Sequence, residues 1–159
     1  MWRAILILPF NAAITVPAAL LWLTRPVRPA GPGDIGLWIG LACLAAGLML
    51  FVSTVLLFTR VGKGTLAPWD PPKRFVVEGP YRHFRHPMIA GVLLAICGEA
   101  LVFRSWAVGA WAAAFFAINA VYLPLKEEPD LVTRFGQSYR DYMAHVPRWL
   151  PRLKPWRPD

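Results

Sequence analysis

The sequence predicts an all-α integral membrane protein, with four transmembrane helices, the third and fourth joined as a short hairpin, and a C-terminal amphipathic cytoplasmic helix. Composition is the first reason: of 159 residues 57% are hydrophobic and only 16% charged, and mean hydropathy is +0.45, too apolar for an ordinary soluble domain of this length. The second is placement, because long stretches carry almost no charge while Arg and Lys crowd the segments between them, the pattern of a multispanning protein. The third is a set of four apolar runs of helical length. Disorder and a disulfide scaffold are excluded. Cys43 and Cys97 lie inside apolar runs, where they serve as small hydrophobes.

The runs follow in order. Ala4 to Leu23 is interrupted only by Asn11, Thr15 and two prolines, and about 20 residues at about 1.5 Å each cross roughly 30 Å of hydrocarbon. Arg3 precedes it, but the run exceeds the apolar core of a cleaved signal peptide. Ile35 to Phe58 is the second span, Met88 to Phe103 a short third and Trp106 to Leu125 the fourth, with only Arg104 and Ser105 between the last two. The third span reaches only about 24 Å, so it pairs tightly with the fourth, its start marked by His86 and Pro87.

Counting cations gives the orientation. Arg25, Arg28 and Arg104 fall on one side, and the other fourteen Lys and Arg fall at the amino end, between spans two and three, and after span four. The positive-inside rule then puts both termini in the cytoplasm. The +8 charge does not point to nucleic acid, since basic loops flank apolar spans and no basic domain exists; membrane lipids are the expected partners of those loops.

A single membrane domain, 1–159, therefore carries one polar layer, made of the loop 59–87 and the tail 126–159. The tail opens with Glu127, Glu128, Pro129 and Asp130, suited to a helix first turn. Leu131, Phe135, Tyr139, Tyr142 and Val146 recur at steps of four, four, three and four, which predicts one continuous helix ended by Pro147 and roofing the spans. The antiparallel hairpin brings the start of span three next to the end of span four. A pocket walled by Tyr81, Arg82, His83, Arg85, His86, Glu127 and Glu128 follows from that topology.

Singly, such residues anchor headgroups or cap helices. Together they offer a cation-binding pair of acids opposite several anion-binding donors, suited to a zwitterionic or sulfonium ligand. His83 and His86 have no third ligand near in sequence, so no metal is expected. Gly62 and Gly64 read as a turn. Glu99, an acid inside span three, is a functional suspect by position, with Arg104 near enough to neutralise it. A small four-helix transporter coupled to protons through Glu99 is the competing reading, and a non-catalytic lipid-binding relative is another.

With GKGTLAPWDPP, VVEGPYRHFRHPMIAG and YLPLKEEPDLVTRFGQSYRDYMAHVPRWLP in this order around an apolar hairpin, the chain resembles the membrane-embedded methyltransferases that include isoprenylcysteine carboxyl methyltransferase and the phospholipid N-methyltransferases. The resemblance implies an enzyme that takes S-adenosylmethionine as methyl donor without a Rossmann domain and passes the methyl to a lipid or hydrophobic acceptor. The cofactor positions it implies are Tyr81, Arg85, His86, Pro87, Gly91, Glu127 and Glu128. Arg85 and His86 are expected at the cofactor's carboxylate, Glu127 or Glu128 at its amino or ribose groups, and the apolar tail-helix face at its adenine. Catalytic candidates are Glu128, Tyr139 and Arg140, the last two facing the acceptor. Ile89 stands where the family usually has an aromatic residue, which shifts that contact to Tyr81 or Trp69.

Overall fold

The computed structural model describes residues 9–25, 29–57, 60, 75 and 77–157. Gly62, Gly64, Trp69 and the GKGTLAPWDPP segment lie outside them, as does the start of the first predicted span. Five helices are present and no strand occurs among the described residues: α1 (Asn11–Thr24), α2 (Ile35–Leu57), α3 (Pro87–Val102), α4 (Trp106–Phe135) and α5 (Gln137–His145). A 3-10 turn, Gly79–Arg82, leads into α3. Two helices, α2 with 23 residues and α4 with 30, are long and apolar enough to cross a membrane; α1 and α3 are apolar but shorter. Trp38, Leu48, Met49, Ile118, Val121 and Leu125 point outward and exposed, an apolar exterior suited to a bilayer.

α2 and α3 pack antiparallel through glycines. Gly47 lies against Gly91 and Gly40 against Gly98, so that a Cβ added at Gly47 would sit 2.6 Å from the Gly91 carbonyl oxygen. Without side chains there, the backbones approach closely, as in small-residue contacts between membrane helices. The turn from α3 to α4 is as tight as predicted: Ser105 caps α4, its Oγ accepting from the Val108 N–H at 3.3 Å. Val92, Ile96, Val108 and Ala112 form the apolar core between these two helices, and α1 packs on it through Leu20 and Leu21.

Proline shapes α1 and α4 in the same way. Each contains one π turn, Asn11–Thr15 and Leu123–Glu127, closed by Val16 N–H to Asn11 O and by Glu128 N–H to Leu123 O. The next bond in each series would need the N–H of Pro17 or Pro129, which proline lacks. In α1 the freed carbonyl of Ala12 accepts from the Trp111 indole at 2.9 Å, tying α1 to α4.

The tail differs from the expected single helix. Glu127 and Glu128 do not begin a separate helix; α4 runs through them to Phe135. Gly136, at φ +60° and ψ −130°, then breaks the chain before α5. This conformation is open to glycine and strained for other residues, which is why a periodic stripe did not become one helix. The stripe still packs as a unit: Val77, Tyr139, Tyr142 and Val146 form a second core, joined by Leu131, Phe135, Phe75 and Trp156.

Candidate functional site

The two acids on α4 meet the entrance of α3. Consecutive residues on a helix stand about 100° apart, and Glu127 and Glu128 use that angle to flank one imidazole. His86 Nε2 is 3.3 Å from Glu128 Oε1, and His86 Nδ1 is 3.5 Å from Glu127 Oε1. The His86 ring is buried, and Pro87 begins α3 directly behind it. Burial alone would lower the His86 pKa, but hydrogen bonds and charge from both glutamates outweigh it and raise it above the ordinary value of 6.5.

Glu128, only 6% exposed, is the centre of the charge network. Arg85 Nη1 donates to its Oε1 at 2.7 Å; Arg148 donates from Nε to Oε1 at 2.9 Å and from Nη2 to Oε2 at 2.7 Å. Burial pushes its pKa upward, yet the bonds from His86 and Arg148 and the nearby Arg85 charge prevail and hold it at about 2. Glu127 is half-exposed. Arg85 Nε is buried and has no hydrogen-bond partner among the described residues.

A strap made from the end of the chain holds this layer. The Arg85 N–H donates to Pro147 O at 2.9 Å, Arg152 N–H to His83 O at 3.0 Å and Trp156 N–H to Arg82 O at 3.0 Å, so residues 147–156 run antiparallel to the YRHFR segment. Tyr142 Oη donates to Tyr81 O at 2.6 Å, locking α5 to the same segment. The Trp149 ring, half-buried, lies 6.4 Å from that of His86 and 5.1 Å from that of Phe116.

The structure thus brings Arg85, His86, Glu127 and Glu128 together, with Pro87 behind them. Tyr81 borders them: burial, then Tyr142 and Glu127, raises its phenol well above the usual range. Tyr139 is buried in the second core with its phenol in the field of Glu128 and Arg85, and burial is the main cause of its raised pKa. The other expected residues fall elsewhere. Arg82 donates to Val77 O and His83 to Arg152 O, so neither faces the acids, and the two histidines do not converge. Gly91 packs against Gly47 of α2 and also lines an apolar cavity between α1, α2 and α3. Arg140 is exposed to the outside. The apolar face of the tail helix, expected against adenine, is packed in the second core under Phe75 and Val77. Arg104 pairs with Asp34 at 3.3 Å, and Glu99 Oε2 is buried without a partner among the described residues, on the wall of an apolar cavity of about 320 Å³ between α1, α2 and α3.

Sequence reasoning gave no role to Arg148 or Trp149. Both lie just beyond Pro147, in a stretch from Tyr142 to Arg157 that holds four Arg and Lys and no acid; that imbalance beside two buried glutamates was the available signal.

A profile of the phospholipid methyltransferase family matches residues 35–138, which includes α2, α3, α4 and both glutamates. The chain belongs to the phospholipid methyltransferase family. Among similar proteins, methanethiol S-methyltransferase 2 of Bradyrhizobium diazoefficiens is 37% identical over 79 residues, 46% of this chain and 27% of that protein. Methanethiol S-methyltransferase of Pseudomonas deceptionensis is 30% identical over 179 aligned positions, 96% of this chain and 64% of the relative. The chain spans less than two thirds of the length of these relatives.

Proposed function

We propose that this protein transfers a methyl group from S-adenosylmethionine to a small hydrophobic acceptor at the cytoplasmic face of a membrane. The observation that carries the reading is the constellation of Arg85, His86, Glu127 and Glu128, with Arg85 Nε buried and lacking a partner among the described residues. A buried guanidinium N–H with no acceptor is costly, and the cofactor's carboxylate is the anion that satisfies it. Glu127, half-exposed beside it, is the acceptor left for the ammonium group. Trp149 offers a flat apolar surface for adenine in place of the packed face of α5. When bound, S-adenosylmethionine supplies a methyl group activated by its sulfonium.

Methyl transfer from a sulfonium asks little covalent help of an enzyme; alignment and exclusion of water do most of the work. The residues here suit that task. Arg85 and Glu127 bind opposite ends of one zwitterion, and the strap 147–156 with α5 covers the side away from the helices. No residue needs to act as a base for a thiolate acceptor.

The acceptor class follows from two supports. Similar proteins carry the name methanethiol S-methyltransferase, and the cavity lined by Phe10, Leu44, Leu48, Phe51 and Gly91 is apolar and near the lower end of ligand-pocket sizes. Both favour a compact apolar molecule, a short thiol, over a diacyl lipid. The reading includes four helices in the bilayer and both termini in the cytoplasm, on the strength of the fourteen-to-three distribution of Lys and Arg. The test is to incubate membranes holding the protein with methyl-labelled S-adenosylmethionine and either short alkanethiols or the endogenous lipids alone. Label in the volatile thioether, lost in Arg85→Ala and Glu127→Ala, is the expected result; no label in any fraction, from protein shown to be folded, overturns it.

A further inference from the structure

We infer that Arg148 is a positioning residue: by gripping both oxygens of Glu128 it keeps that carboxylate on Arg85 and His86, so that Glu127 alone is left to receive a cationic group. The inference deepens the proposed function and rests on it for the identity of the ligand. It reassigns Glu128 from ligand contact to scaffold.

The bonding of Glu128 makes the case. A carboxylate has about four acceptor positions. Oε1 already accepts from Arg85 Nη1, Arg148 Nε and His86 Nε2, and Oε2 accepts from Arg148 Nη2. With 6% of its surface exposed, Glu128 has little left to offer a ligand. Glu127 has only a 3.5 Å approach to His86 Nδ1 and an exposed flank. The two adjacent acids therefore differ in availability, and Arg148 makes much of the difference, since it supplies two of the four bonds to Glu128.

Arg148 also arrives in register. Pro147 O accepts from the Arg85 N–H, so one end of Arg85 is fixed by the strap backbone and the other by Glu128, which the next residue of the strap holds. The planar fork of arginine spans both carboxylate oxygens, which a lysine cannot do. With its other end fixed this way, Arg85 keeps Nε unsatisfied, ready for an anion.

The groups that set the charge of His86 are Glu127 and Glu128 from α4; Arg85 from its own segment and Arg148 from the strap act on it through Glu128, whose charge also reaches the Tyr139 phenol of α5. Removing Arg148 leaves Glu128 less neutralised, so His86 binds its proton more tightly; removing the charge of Glu128 does the opposite.

The experiment uses the whole chain in detergent, with histidine rings labelled for NMR titration and S-adenosylhomocysteine binding measured by calorimetry. Arg148→Gln should move the His86 midpoint up, Glu128→Gln should move it down, and Arg148→Gln should weaken binding about tenfold. In a Glu128→Gln background, Arg148→Gln should cost no further affinity, and Arg148→Lys should recover part of the loss. A His86 midpoint that stays in place in Arg148→Gln, or affinity losses that multiply in the double variant, overturns the inference. If Arg148→Gln does not fold, Arg148→Met, also uncharged and of similar length, carries the same titration. Wild-type protein that binds no S-adenosylhomocysteine sinks the donor reading, while the His86 titration still judges Arg148.

Discussion

The contact between α2 and α3 and the layer around Glu128 are held together by opposite means. In the first, glycine backbones meet directly: Gly47 against Gly91, Gly40 against Gly98. In the second, one buried carboxylate is shared by two guanidinium groups and an imidazole. The first contact depends on shape, whereas the second exists only while its acid is charged. One end of the molecule is thus a fixed frame and the other a titratable assembly mounted on it, which is what a site for a zwitterionic ligand needs.

Neutralising the centre of the charged layer should have the largest effect. Glu128→Gln leaves Arg85 and Arg148 buried or half-buried without their counter-charge, and such a break costs about 3 kcal/mol. Thermal unfolding at pH 7 should show the loss, and binding of S-adenosylhomocysteine should fall by about a hundredfold; an unchanged midpoint would mean the network is ornamental. Acid should do the same without mutation. The folded Glu128 pKa of about 2 lies below the ordinary 4.5, so its contribution is complete above pH 4.5 and is lost as pH falls from there toward 2. His86 has the opposite sign: its raised pKa gives stability that is complete below 6.5 and lost as pH rises through the folded value. Glu128→Gln should abolish the acid-side loss.

The frame is tested next. Gly47→Ala puts a methyl 2.6 Å from the Gly91 carbonyl oxygen, and the forced separation of α2 from α3 should cost about 2 kcal/mol. The loss should be equal at pH 7 and pH 4. A pH-dependent loss would show that the two regions are coupled through α3. Gly136→Ala is milder, about 1 kcal/mol, since it strains one positive φ between α4 and α5; proteolysis of the tail should report it before global unfolding does.

The two regions were also unequally legible in the sequence. The hairpin of α3 and α4 was visible because apolar runs separated by Arg104 and Ser105 leave one topology, and that topology alone put His86 beside Glu127 and Glu128. The break at Gly136 was hidden because the stripe from Leu131 to Val146 keeps helical phase across it, and periodicity does not register a single reversed φ. The packing contact of Gly91 was hidden because its partner Gly47 is far away in sequence and only packing relates the two. Arg148 was missed for the same reason: nothing local ties it to Glu128, and it gets there by the strap's return across residues 82–85.

Arg104 gives the smallest predicted effect and the sharpest contrast between sequence and structure. Proximity along the chain suggested that it neutralises Glu99, a buried counter-ion whose removal would cost about 3 kcal/mol. The structure instead pairs it with Asp34 at 3.3 Å, with the Arg104 side chain 64% exposed, and an exposed pair of this kind contributes well under about 1 kcal/mol. Arg104→Ala should therefore leave the unfolding midpoint almost unchanged, and Arg104→Ala combined with Glu99→Gln should behave as the simple sum of the two. A large loss in Arg104→Ala that Glu99→Gln reverses would instead tie the two side chains together and would place a charged pair inside the glycine-built frame.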